Sequence, residues 1–319
     1  MYKPVPTAPR FLEAIKDTYG LATDEEAGQP KYVREFADQA SAMIESSAVE
    51  KQDLEIEFNN IKVNISILRP MGSKDKVLPV IMYLHGGGWV LGSYNTHCIL
   101  TNELVNSLPC CVVFVHYSLS PEVKYPVALE ECYATLCWVQ KNAASFYADA
   151  SKLVISGDSA GGNLSAAVTI LAKQRGNNGI KYQVLYYPVV DVDFDNASYI
   201  EHQNNAFLPR TTMQYMWEAY LSSKEERKLS TAVPFSAPLE ELEDLPPTLV
   251  ITAERDVLRS EGEAYAKKLQ KAGVPTVAVC YGGTGHGFLT LPFLQNNALA
   301  AISQTVDTLR KHWSSDSKL

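Results

Sequence analysis

Leu153-Val154-Ile155-Ser156-Gly157-Asp158-Ser159-Ala160-Gly161-Gly162 is an apolar run that ends in a glycine-flanked serine and continues in small residues. A serine on a tight strand-to-helix turn needs small neighbours on both sides, and Gly157 and Gly161 supply them in the pattern Gly-x-Ser-x-Gly. Context carries more weight than the pattern. Leu153 to Ser156 reads as a strand and Ala160 to Lys173 as a helix, so the turn would raise the Ser159 hydroxyl above the sheet edge as a candidate nucleophile. The competing reading is a helix start that merely favours small residues.

Apolar runs without alternation recur along the chain: Val77 to Leu84, Cys111 to Tyr117, Val184 to Tyr187, Thr248 to Thr252 and Thr276 to Tyr281. Such runs suit strands buried on both faces of a parallel sheet. Helical patterns separate them, Ala128 to Ala144 among them. The helix after Asp256 carries a capping-box pair, Ser260 with Glu263, and a stop at Gly273 with Pro275 beyond. Earlier, Leu54, Ile56 and Phe58 alternate with polar residues, Asn59-Asn60 supplies a turn, and Ile61, Val63, Ile65 and Ile67 alternate again, which predicts an edge hairpin. Strands alternating with helices specify an α/β fold: a mostly parallel sheet flanked by helices, with right-handed crossovers.

Two segments depart from that rhythm. Residues 1–50 hold helical patterns around Pro9 to Tyr19 and Tyr32 to Ser46. Residues 191–234 form an acidic, aromatic-rich stretch with Phe207, Tyr215, Trp217 and Tyr220. The expected organisation is a catalytic core of 51–190 and 235–319. Segments 1–50 and 191–234 would form a helical cap over the carboxyl ends of the strands, where ligands sit in open α/β sheets.

The chemistry needed by a serine nucleophile is present elsewhere. Asp256 follows the strand Thr248 to Thr252, and His286 lies in the glycine-rich loop after Tyr281, so both reach the edge of the sheet that carries Ser159. The chain order Ser, Asp, His makes His286 the candidate general base and Asp256 its orienting carboxylate. Glu254 and Glu261 are competing acids, and a solvated loop residue is the bland reading of His286. His85-Gly86-Gly87-Gly88-Trp89 follows the strand ending at Leu84. Its backbone N–H groups at Gly86, Gly87 and Gly88, with that of Ala160, form the expected oxyanion hole. His85 reads as a residue that shapes this loop, and Asp158 as one that ties down the serine turn through local hydrogen bonds.

Composition narrows the partners. The chain has 319 residues, 46% hydrophobic and 20% charged, with a formal net charge of −8. That charge repels phosphate backbones and anionic lipid, so a small-molecule substrate is expected, with no nucleic acid and no stable membrane association. The six cysteines show neither a disulfide framework nor zinc spacing and read as packing residues, and His97, His116, His202 and His312 lack metal-like pairing. No metal and no cofactor is expected. Of three glycosylation sequons, at Asn64, Asn163 and Asn196, the second lies just after Ser159, where a glycan would conflict with the fold. A cytoplasmic location is expected, with a peroxisomal one as the alternative if the source is eukaryotic, because Ser317-Lys318-Leu319 ends the chain.

Together, His85-Gly-Gly-Gly-Trp89, Gly157-Asp-Ser-Ala-Gly-Gly162, Asp256 and His286-Gly-Phe288 resemble the motifs of the hormone-sensitive-lipase-type esterases over nearly the whole chain. The resemblance implies an α/β-hydrolase fold with a helical cap, the triad Ser159, Asp256 and His286, short to medium acyl esters as substrates, and a possible homodimer. Trp89, Phe207, Leu208 and Phe288 are the expected substrate-binding residues. Two stretches depart from the family: His116 and Ser118 stand where an acid and an arginine are usual, and Val257 replaces the usual proline after Asp256. An amidase or deacetylase using the same triad, a triglyceride lipase and a non-catalytic small-ligand receptor on this fold are the alternatives to the esterase.

Overall fold

Along Leu78–Leu84, Val80, Met82 and Leu84 face one side of the sheet and Ile81 and Tyr83 the other, and all five are buried. A strand buried on both faces requires helices on both sides. The computed structural model describes residues 30–205, 207–290 and 295–315 and supplies those two layers.

In chain order the principal elements are α1 (Pro30–Ala42), the hairpin β1 (Val49–Phe58) and β2 (Ile61–Pro70), β3 (Leu78–Leu84), α2 (Tyr94–Ser107), β4 (Cys111–His116), α3 (Val127–Asn142), β5 (Ala148–Asp158) and α4 (Ala160–Gln174). Then come β6 (Tyr182–Tyr186), α5 (Ala197–Glu201), α6 (Arg210–Tyr220), α7 (Leu239–Leu242), β7 (Thr248–Arg255), α8 (Arg259–Lys271), β8 (Thr276–Gly285) and α9 (Asn296–Ser315). The sheet order is β1-β2-β4-β3-β5-β6-β7-β8. β2 pairs antiparallel with β1 and β4, and every other pairing is parallel.

The faces divide cleanly. Leu129 and Leu136 of α3 and Leu164 and Val168 of α4 cover one face, which Ile170 of α4 and Tyr265 and Leu269 of α8 extend over Leu185 and Val250. Leu100 and Leu104 of α2 and Ile302 and Leu309 of α9 cover the other. The β1–β2 hairpin turns at Asn59 and Asn60, with φ of 50° and 63°, a conformation asparagine tolerates better than most residues.

Several boundaries and roles differ from expectation. Val77 is 67% exposed and lies outside β3. β8 was expected to be buried on both faces, yet it is an edge strand: Val277 is 49% exposed and Cys280 faces solvent, so Cys280 is not a packing residue. An apolar run does not encode its position in the sheet order. The capping box on α8 is absent as well. Leu258 is the N-cap and makes no side-chain cap bond, while Ser260 exchanges hydrogen bonds with Ser198: its N–H donates to Ser198 Oγ at 3.0 Å and its Oγ accepts from Ser198 N at 3.1 Å. The stop at Gly273, with φ of 82°, is as read. The expected helix at Pro9 to Tyr19 and the terminal tripeptide lie outside the described residues. Among the described residues, no helix is long and apolar enough to cross a membrane.

Candidate active site

β5 ends at Asp158 and α4 begins at Ala160, and Ser159 between them has φ of 53° and ψ of −119°. A non-glycine residue held there costs about 1–3 kcal/mol, so the surroundings must over-determine it. They do: Ser159 N–H donates to Tyr186 O at 2.9 Å, and Ser159 O accepts from Asn163 N and Val189 N, both at 3.1 Å. Close approach explains the flanking glycines, since a β-carbon on Gly157 would run into the Gly161 carbonyl and one on Gly161 into the Leu84 carbonyl. Asn163 is fully buried and donates to Ala232 O, which leaves no room for a glycan.

The loops after β7 and β8 bring the other two candidates to this serine. His286 Nε2 lies 2.9 Å from Ser159 Oγ, and His286 Nδ1 lies 2.8 Å from Asp256 Oδ2. Asp256 is fully buried, and its Oδ1 accepts from Leu258 N at 3.0 Å, which fixes the carboxylate plane. The competing acids point elsewhere. Glu254 Oε2 accepts from Gly283 N, and Glu261 lies buried beneath Val190 and Asp191. With a carboxylate accepting from Nδ1–H, Nε2 is the free lone pair that faces the hydroxyl.

Of the four expected oxyanion donors, Gly86 is corrected by the structure. Its N–H donates to Asp158 Oδ1 at 2.9 Å and so is unavailable to a substrate. Gly87 and Gly88, at φ of 107° and 62°, and Ala160 at the start of α4 remain as candidate donors. Asp158 Oδ1 also accepts from Tyr83 OH at 2.7 Å and lies 3.4 Å from His97 Nε2. Asp158 therefore acts not through local bonds, as expected, but by tying the serine turn to the oxyanion loop across the sheet. Burial alone would push its carboxyl up, but the adjacent His97 ring and the His97 and Tyr83 hydrogen bonds hold it below the usual range. Burial, with the neighbouring His97, pushes His85 down to about 3. His85 is a neutral ring stacked on Tyr117 at 4.3 Å, which fits its reading as a shaping residue.

The four expected substrate contacts separate. Trp89 is fully buried, stacked on Tyr220 of α6 at 4.3 Å and against Trp217 at 4.6 Å. It fastens α6 to the oxyanion loop and offers no surface to a ligand. Phe288 is 5% exposed and packs on Tyr187 and Tyr281 in the cluster beneath α9, so it braces the histidine loop. Leu208 is also buried, in the cluster that holds Met213 and Met216, whereas Phe207 is 60% exposed.

Two neighbours of the site were not read from sequence. Tyr187, with φ of 33°, sets its ring edge against His286 at 5.0 Å. Its place at the carboxyl end of a central strand was the available signal. Met216 lies over Gly88, where an added β-carbon would collide with its sulfur. Nothing in the sequence spacing indicates that contact.

The departures from the family motif are accommodated locally. Ser118 N and Oγ both donate to Glu131, at 2.6 Å each, in place of an arginine. His116 Nε2 meets Ser66 Oγ at 2.8 Å, and Ser66 in turn donates to Asp53. A cleft of about 530 Å³ lined by Asp38, Lys51, Asp53, Leu54, Ile65 and His116 opens there, without any member of the Ser159 constellation. Among the described residues, no group of three or more His, Cys, Asp or Glu side chains could hold a metal.

A family model described as alpha/beta hydrolase fold matches residues 81–290. The chain is 35% identical to an arylesterase of Saccharolobus solfataricus over 79% of its length and 81% of the relative. It is 33% identical to the carboxylesterase NlhH of Mycobacterium tuberculosis over 73% of its length and 74% of the relative. Among solved structures, a fungal esterase from Rhizomucor miehei superposes with a TM-score of 0.88 at 40% identity over 98% of both chains. A thermostable esterase from Pseudomonas putida does so with a TM-score of 0.87 at 35% identity over 97% of this chain and 99% of the other. With the fold, the motif order and these similarities in agreement, the chain belongs to the hormone-sensitive-lipase-type esterases of the α/β-hydrolase fold, a family of carboxylic ester hydrolases.

Proposed function

We propose that the protein hydrolyses short to medium chain acyl esters through an acyl-serine intermediate. The observation that carries this reading is the unbroken hydrogen-bond run Ser159 Oγ, His286 Nε2, His286 Nδ1, Asp256 Oδ2. Ser159 Oγ attacks the ester carbonyl carbon while His286 Nε2 takes its proton, and Asp256 stabilises the resulting imidazolium. Negative charge then develops on the former carbonyl oxygen, where N–H groups of Gly87, Gly88 and Ala160 stabilise it by about 3–4 kcal/mol per donor. Collapse breaks the C–O bond, and His286 gives its proton to the departing alcohol. Water repeats the sequence on the acyl-serine and releases the acid.

Phe207, with most of its surface exposed, is the aromatic residue left to contact the substrate at the rim, while Met216 over Gly88 limits depth beside the oxyanion loop. Both features support a modest acyl chain. Segments 30–42 and 191–234 together act as the cap, through α1, α5 and α6. An assembled triad has no role in a receptor, and the esterases among the relatives favour an alcohol leaving group over an amine. The test is hydrolysis of p-nitrophenyl esters from acetate to palmitate by wild type and Ser159→Ala. Turnover peaking at short or medium chains and lost in the variant is expected; equal turnover in both would overturn the serine assignment. A matched amide hydrolysed faster than its ester would select the amidase instead.

We further propose a cytoplasmic location and a homodimer, the latter supported by β8, whose outer edge pairs with no strand among the described residues. Light scattering of the purified protein checks the assembly. A reporter ending in Ser317-Lys318-Leu319 checks the peroxisomal alternative.

A further inference from the structure

The segment 191–234 leaves and rejoins the core at a narrow neck. Phe235 N–H donates to Val190 O at 2.9 Å, so the two ends of the insertion touch. α8, which follows directly on Asp256, grips both ends. Glu261 Oε1 accepts from Val190 N at 2.7 Å and Asp191 N at 3.2 Å, and Lys268 Nζ donates to Phe235 O at 2.6 Å. The same helix start holds α5, because Ser198 and Ser260 exchange hydrogen bonds and Ser198 Oγ donates to Val257 O at 2.6 Å.

Within this clamp Glu261 is anomalous. It is 3% exposed, and its second oxygen, Oε2, has no hydrogen-bond partner among the described residues. A solvated carboxylate would be indifferent here, but a buried one with a bare oxygen is costly unless its placement matters.

We propose that Glu261 is a positioning residue that locks the entry hinge of the insertion, Val190 and Asp191, to the turn bearing Asp256, so that the cap closes in one register over Ser159 and His286. The inference rests on the esterase reading of that site and adds a residue that touches neither substrate nor triad side chains. Glu254, Asp256 and Glu261 then have three distinct duties on one stretch of chain: the first braces the histidine loop, the second orients His286, the third sets the cap.

The carboxyl's environment gives the clamp a pH signature. Burial pushes Glu261 well above the ordinary carboxyl range, against the lowering effect of the Val190 and Asp191 N–H bonds. Asp191 and Asp256 add like-charge repulsion, Tyr199 of α5 also faces it, and Lys268 lies beyond Asp191. A carboxyl with a raised folded-state value contributes stability that is full at acid pH and is lost as pH rises through that value. Ionisation leaves Oε2 charged without a partner among the described residues, so the hinge loosens as pH rises.

Glutamine separates the two properties. Its carbonyl oxygen can still accept from Val190 and Asp191, but it has no proton to lose. Steady-state hydrolysis of p-nitrophenyl butyrate by wild type, Glu261→Gln and Glu261→Ala is measured from neutral to alkaline pH, with hydrogen exchange over residues 188–200. The expected result is near wild-type kcat/KM in Glu261→Gln at the pH of maximal wild-type activity, with a smaller loss than wild type as pH rises. Glu261→Ala, which strands two buried N–H groups, should lose about tenfold or more in kcat/KM and exchange faster at the hinge. A glutamine variant as impaired as alanine, or an alanine variant that matches wild type in both kcat/KM and exchange, overturns the proposal. Absence of ester turnover in folded wild type sinks the esterase reading alone. Exchange then decides the hinge: faster in Glu261→Ala but not in Glu261→Gln upholds the lock, and equal exchange in all three overturns it.

Discussion

Replacing Asp158 is the sharpest test of how the oxyanion loop is held. One buried oxygen, Oδ1, receives Gly86 N–H at 2.9 Å and Tyr83 OH at 2.7 Å, with His97 Nε2 at 3.4 Å. Asp158→Ala leaves buried Tyr83 OH without its acceptor and Gly86 N–H with only His97 Nε2, at 3.2 Å. Each weakened or unsatisfied buried donor costs about 1–3 kcal/mol, so the two together cost about 2–5 kcal/mol. At roughly 2 °C per kcal/mol for a chain of this size, the melting temperature should fall by about 4–10 °C. The catalytic loss is separate. Gly86 precedes the two glycines proposed as oxyanion donors, so loosening it misdirects them, and one lost donor is worth about a hundredfold to a thousandfold in kcat. The oxyanion exists only in the transition state, so KM should barely move. Asp158→Asn keeps an oxygen for Gly86 and Tyr83 and should retain activity within about tenfold of wild type, given one weakened charge-assisted bond. The assay is p-nitrophenyl butyrate kinetics at a temperature where thermal melts show both variants folded. A folded Asp158→Ala with wild-type kcat would refute the argument that this carboxylate holds the loop.

Trp89→Ala should cost about 3–5 kcal/mol of stability, since it empties the space between Trp217 and Tyr220, and denaturant titration against Trp89→Phe measures the loss. Gly88→Ala should lower kcat by about a hundredfold through collision with Met216 and misdirection of a donor. Adding Met216→Ala should restore only part of that, because φ of 62° still costs an alanine roughly 1–2 kcal/mol; complete rescue would show that the backbone strain is immaterial. The hydrogen bond from Arg34, opposed by partial burial, holds the Glu122 carboxyl below its ordinary range, and Arg34 also donates to Val90 O and Ser120 O. A lowered carboxyl contributes stability at neutral pH that is lost as pH falls through the lowered value. The protection of α1 amides, relative to their intrinsic exchange at each pH, should therefore fall on acidification in wild type, whereas Glu122→Gln should be less protected already at neutral pH.

Much of the architecture is legible in the chain because the physics is local. Ser159, Asp256 and His286 each follow an apolar run, and a parallel sheet sends all such run-ends to one edge, so their juxtaposition follows once the strands are recognised. Details that depend on distant partners are not legible. Gly86, Gly87 and Gly88 are indistinguishable in sequence, and distant acceptors, Asp158 Oδ1 and His97 Nε2, remove the first from the candidate donors. Trp89 and Phe288 read as pocket lining because an aromatic ring beside catalytic residues suits a ligand, yet α6 covers one and the α9 cluster encloses the other. Ser260 with Glu263 satisfies the capping pattern, but Ser198, on a different helix, takes the serine instead. The apolar run Thr276 to Tyr281 looks like any other, and its exposure at the sheet edge is a property of strand order.

The meeting of Val190 with Phe235 has a consequence for how such proteins diversify. A detour whose two ends are already hydrogen-bonded to each other places almost no geometric demand on the scaffold that hosts it. Its length and contents can change while β6 and β7 remain neighbours in register, since the entropic cost of closing the loop grows only slowly with its size. Residues 191–234 can therefore vary as an exchangeable cassette, and with them whatever the proposed cap contributes to substrate preference. At its neck the cassette must preserve little, two backbone N–H groups for one acid at its entrance and one carbonyl for one lysine at its exit, while inside it the Trp217 and Tyr220 rings must still cover Trp89.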